Sequence, residues 1–109
     1  MFAQRVRAAA GRLGVRPEAL SPADARIHHW ERDQVVVLQA TLRPEQQLEL
    51  VDHLAHLEPA PVVVAVTGHL ETDLRRRLKE RGATLAAHSA MDRVLARALQ
   101  LSDGDDAAE

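Results

Sequence analysis

Residues 61–68, Pro-Val-Val-Val-Ala-Val-Thr-Gly, constrain the fold more than any other stretch of this chain. Four valines and an alanine stand between a proline-rich entry and a glycine exit. β-Branched side chains are stiff at χ1 and pack well on a pleated backbone. A short run with no polar alternation has no face to turn to water. It reads as a strand buried on both sides, the environment of a parallel sheet covered by helices. The rest of the chain has to supply that cover.

The flanking segments alternate as such a sheet requires. Phe2, Val6, Ala9, Ala10 and Leu13 recur at helical spacing, with Gln4, Arg5, Arg7 and Arg12 between them. This predicts an amphipathic helix stopped at Gly14. Residues 15–20 are interrupted by Pro17 and read as a short edge strand or a loop. Ser21-Pro22-Ala23-Asp24 is a helix start, with Ser21 as N-cap and Pro22 in the first turn. That helix is expected to reach Trp30 or Arg32, with Ala25, Ile27 and Trp30 inward. Residues 35–40, Val-Val-Val-Leu-Gln-Ala, form the second strong strand signal. Pro44 and Glu45 open a helix that turns Leu48, Val51, Leu54, Ala55 and Leu57 to the core and ends before Pro59 and Pro61. Residues 71–81 follow as a helix with Leu74 and Leu78 inside, stopped by Gly82. Residues 84–87 are a short strand candidate. Met91, Val94, Leu95, Ala98 and Leu99 mark a last helix. Alternation of this kind gives an α/β layer fold with a mostly parallel sheet.

The length of 109 residues supports one domain with one core. That core must be aliphatic, because Phe2 and Trp30 are the only aromatic residues. The domain is expected over residues 1–101. Asp103, Asp105, Asp106 and Glu109 stand without a base in residues 102–109, which read as a disordered acidic tail. A net charge of −2 argues against nucleic acid as the partner. The absence of cysteine removes disulfides, thiol nucleophiles and cysteine metal sites. No apolar run approaches the ~18 residues of a membrane span. No continuous apolar core accompanies the N-terminal arginines, so they do not read as a secretory signal. The expected location is the cytoplasm.

Catalytic signatures are wanting. Ser21, Ser89 and Ser102 are the only serines, and none sits in a nucleophile elbow. Glycines 11, 14, 68, 82 and 104 do not have the spacing of a dinucleotide fingerprint. His53 and His56 share a helical face with Glu49, a set able to hold zinc. The same residues read more simply as a solvated face. His28 and His29 diverge by ~100° on a helix. No enzyme activity, metal or cofactor is expected.

Residues 61–71, followed by Leu74-Arg-Arg-Arg-Leu78 and Arg81-Gly82-Ala83, resemble the fourth strand and fourth helix of response-regulator receiver domains. In that family an apolar strand ends in Ser or Thr, a helix follows, and a Gly-Ala pair leads to the fifth strand. Residues 35–39 resemble the third strand, residues 45–57 the third helix and residues 91–101 the fifth. The resemblance covers roughly residues 20–101 and is most specific over residues 61–83. It implies a flavodoxin-like three-layer fold with a mostly parallel sheet. It also implies phosphoryl transfer to an aspartate, which needs a carboxylate nucleophile, acids for a divalent cation, a hydroxyl and a lysine. Here the phosphoacceptor position is Gln39, the hydroxyl is Thr67, and the lysine position falls at His88 or Ser89. The acidic pair and the first strand have no counterpart, since the first acid is Glu18 and a helix begins almost at Met1. The resemblance therefore implies an N-terminally truncated pseudo-receiver that cannot be phosphorylated.

Two consequences follow. The strand at residues 35–38 lacks its central neighbour, and its edge needs closure by residues 15–20 or by a second subunit. Function is expected through contact with a protein partner, including homodimerisation. The resemblance points to the surface of the fourth helix, fifth strand and fifth helix, where Arg75, Arg76, Lys79, Arg93 and Arg97 form a candidate interaction face. The alternative is a small-molecule or nucleotide site at the sheet's carboxyl edge near Gln39, Thr67 and His69, where open α/β sheets bind ligands.

Overall fold

The valine-rich run is the centre of the sheet. In a computed structural model, which describes residues 2–31, 34–41, 43–68 and 70–107 (backbone alone for 2, 3, 88 and 100–107), it forms strand β2 (Val62–Thr67). β2 lies between β1 (Val35–Gln39) and β3 (Thr84–Ala87), and both pairings are parallel. Val35 stands opposite Val62 and Gln39 opposite Val66; on the other side Val64 stands opposite Thr84. Val64, Ala65, Val66 and Thr67 are fully buried. Each buried valine contributes about 1.5–3 kcal/mol relative to exposure.

Among the described residues five helices supply the cover: α1 (Phe2–Arg12), α2 (Pro22–Ile27), α3 (Pro44–Ala55), α4 (Thr72–Glu80) and α5 (Met91–Ala107). The strand alternation sorts them into two layers. Leu38, Ala40, Val63 and Ala65 pack with Ala25 of α2, Leu48, Val51 and Leu54 of α3 and Leu78 of α4. Val35, Val37, Val64, Val66 and Ala86 pack with Val6 and Ala9 of α1 and Met91, Leu95 and Ala98 of α5. The sheet is thus sandwiched, with α2, α3 and α4 on one face and α1 and α5 on the other. An exposed Arg12–Asp92 ion pair joins the two helices of the second face.

Local signals set the helix ends. Ser21 caps α2 by accepting a hydrogen bond from the Asp24 N–H at 3.1 Å. Gly14 and Gly82 end α1 and α4 with φ of 75° and 104°. Gly82 is also sterically required, since a Cβ there would stand 2.9 Å from the Ala55 Cβ.

Two expectations, for α2 and for α3, need correction. α2 ends at Ile27, not near Trp30, because His28 is already extended. The chain instead folds back, and the Trp30 indole N–H donates to the Ala25 carbonyl at 2.9 Å. Trp30 takes the inward place and leaves Ile27 83% exposed. Leu50 joins the core beside Leu48, so the apolar stripe of α3 is wider than its spacing suggests. Of the two readings left open for residues 15–20, the chain takes the loop, and the sheet among the described residues has three strands. The backbone of α5 is helical through Ala107.

Candidate functional site

The parallel strands bring their carboxyl ends to one edge, which collects Gln39, Ala40, Thr41, Thr67 and Gly68. This is the edge at which open α/β sheets place ligands. Its polar groups are largely turned on one another. The Glu71 carboxylate reaches back over the β2–α4 turn, and its Oε2 accepts from the Gly68 N–H at 2.7 Å and from the Thr41 hydroxyl at 2.8 Å. The Thr67 hydroxyl, fully buried, accepts from an Arg75 guanidinium nitrogen at 2.8 Å. Arg75 and Glu71 also share a backbone bond, Arg75 N–H to Glu71 carbonyl at 2.9 Å, that starts α4. A side-chain anion therefore already occupies the backbone donor next to Thr67, and a cation already holds the threonine. Among the described residues no buried side-chain donor or acceptor is left without a partner.

Gln39 and Thr67 share this edge but not a face. Gln39 alternates with Val35 and Val37, on the α1/α5 side. Thr67 alternates with Val63 and Ala65, on the α3/α4 side. Gln39 lines a different feature, a cavity of about 600 Å³ along the free edge of β1. His69 lies outside the described residues. His88 opens a short 3₁₀ turn, His88–Ala90, and its side chain is likewise outside them.

The arginines of α4 are divided between three tasks. Arg75 points inward to Thr67. Arg76 pairs with Asp73 one turn earlier on the same helix. Arg77 crosses to Glu45 of α3 at 3.2 Å. Arg76 and Lys79 are exposed on α4, and Arg93 and Arg97 on α5. Because α4 and α5 cover opposite faces, these four cations belong to two different layers. Exposed pairs of this kind contribute about 0–1 kcal/mol each.

The histidines of α3 are committed separately. The His53 ring engages the Arg26 carbonyl of α2 at 3.1 Å, and the His56 ring engages the Asp52 carbonyl at 2.7 Å. Among the described residues no group of three His, Cys, Asp or Glu is placed to hold a metal ion, and none of their helices is long and apolar enough to cross a membrane.

Sequence reasoning missed Glu71 and the inward turn of Arg75. The available signal was the short spacing Thr67-Gly68-x-x-Glu71-x-x-x-Arg75, which sets an acid and a base one helical turn apart just after a strand. Comparison with protein-family models, with curated proteins and with solved structures returns no match for this chain.

Proposed function

We propose that this chain is a non-enzymatic regulatory module, a degenerate receiver-like scaffold that acts by binding another protein and is independent of aspartyl phosphorylation. The observation that carries the reading is the Glu71 carboxylate on the Gly68 N–H and the Thr41 hydroxyl, beside an Arg75-bound Thr67. Phosphoryl transfer at a strand end needs a nucleophilic carboxylate and free donors for the incoming anion. Gln39 is an amide and cannot form an acyl phosphate. The donors nearest Thr67 are satisfied internally, and an additional anion would meet a like charge. Order of elements, the parallel sheet and the Thr at the end of β2 agree with the receiver resemblance.

Intact mass measurement after incubation with magnesium and acetyl phosphate tests the reading. The expected spectrum is unchanged. A stable gain of one phosphoryl group would overturn it.

A second reading, a small-molecule module, is favoured by one observation: Gln39 borders the cavity of about 600 Å³. A thermal-shift screen of nucleotides and small metabolites separates the two, since a ligand of the folded state raises Tm by mass action.

A further inference from the structure

We infer that the free edge of β1 is a docking slot for an extended, uncharged segment of a partner protein, which adds there as a fourth strand. This rests on the protein-binding reading above and names where the partner binds and what it must look like.

The hydrogen-bond phase of β1 is fixed at both ends. The Val62 N–H donates to the Gln34 carbonyl at 2.9 Å, and the Ala40 N–H donates to the Val66 carbonyl at 2.9 Å. With the register between them, residues 34, 36, 38 and 40 face β2, and Val35, Val37 and Gln39 turn their N–H and C=O groups the other way. No described residue pairs with those outward groups. A row of unpaired backbone donors and acceptors is a template for another strand.

The cavity of about 600 Å³ runs along this row. Ala10 of α1 and Leu13 just after it wall one side, and Ala25, Trp30 and Leu50 wall the other. A strand added here is covered by side chains on both faces. It must therefore be apolar at successive residues, as β2 is, because a charge buried there without a partner is costly. The acidic end of this chain does not meet that requirement.

The crossing segment decides between a partner strand and a second copy. α1 and α2 cover opposite faces, so residues 13–21 have to pass around the β1 edge. Arg16, Pro17 and Glu18 line the cavity as they do so, and Val15 and Leu20 are exposed beside it. An extended segment of another protein approaches this edge with no helices or crossing segment of its own. A second copy would bring its own α1, α2 and crossing segment against the same edge.

The test is an amide NMR titration of the full-length, nitrogen-15-labelled chain with a capped synthetic peptide, Lys-Lys-Val-Ile-Val-Leu-Val-Lys-Lys. Saturable shifts are expected at the Val35, Val37 and Gln39 amides. N-methylation of alternate peptide residues in one phase should weaken binding about tenfold or more, and the other phase should leave it unchanged. Val37→Pro, which removes an outward N–H only, should weaken binding about tenfold. The inference is overturned if those amides do not shift saturably, or if both N-methyl phases lose binding equally. It is also overturned if the amides shift with protein concentration alone, which would assign the slot to a second copy. A phosphoryl gain in the mass experiment defeats the underlying reading; failure of the peptide without such a gain removes only this placement of the partner.

Discussion

Adjacent prolines in β1 should have unequal costs. Val36 and Val37 are both half-buried valines in the same strand, so their transfer losses are comparable, Val36 packing on the α2/α3/α4 face and Val37 on the α1/α5 face. They differ in where their N–H groups point. The end bonds from Val62 to Gln34 and from Ala40 to Val66 put the Val36 N–H on the Val62 carbonyl and the Val37 N–H toward the cavity. Val36→Pro removes a ladder bond, leaves an acceptor unsatisfied at about 1–3 kcal/mol, and drives the ring toward β2. A total of about 3 kcal/mol is expected. Val37→Pro keeps every bond to β2 and should cost about 1 kcal/mol, from altered packing and a narrowed φ. The gap of about 2 kcal/mol corresponds to about 8–16 °C in Tm for a domain of this size. Urea and thermal unfolding of the two variants beside the parent measure it. Equal costs, or a costlier Val37→Pro, would refute the assigned hydrogen-bond phase and with it the free edge.

Further perturbations address the turns and the polar corner. Gly82→Ala forces a side chain into φ 104° and within 2.9 Å of the Ala55 Cβ; a loss of about 2–4 kcal/mol in urea unfolding is expected, and Ala55→Gly in the same chain should recover only the steric part. Ser21→Ala removes the cap of a six-residue helix and should cost about 1 kcal/mol by the same assay. Trp30→Phe deletes the indole bond to Ala25 and should cost about 1 kcal/mol, with increased amide exchange at residues 25–28. Glu71→Ala frees the Gly68 N–H and the Thr41 hydroxyl. It should lower stability by about 1–2 kcal/mol and make inorganic phosphate shift the Gly68 amide, which the parent does not show.

Much of the scaffold was legible because its signals are local. The β-branched run of β2, the Ser21-Pro22 start and the glycine stops each act within a few residues. The misses share a tertiary origin. Trp30, not Ile27, is inward because an indole bond to Ala25 turns the chain back, and no periodicity encodes that bond. Residues 15–20 were open between strand and loop. They remain a loop because they must carry the chain from one face of the sheet to the other. Arg75 was read as part of the candidate interaction face, yet it is drawn inward by Thr67, a partner supplied by β2. Gln39 and Thr67 were legible as strand ends. Their placement on opposite faces depends on the register between β1 and β2, which the sequence of neither strand contains.

The central claim is that recognition belongs to the β1 edge and that the carboxyl edge beside Thr67 is internally satisfied. Amide NMR of one sample, first with magnesium and acetyl phosphate and then with the strand peptide, compares the two edges directly. The account predicts silence at Thr67 and Gly68 in the first step and saturable shifts at Val35, Val37 and Gln39 in the second. Shifts at Thr67 and Gly68 with phosphodonor, and none along β1 with peptide, would contradict it.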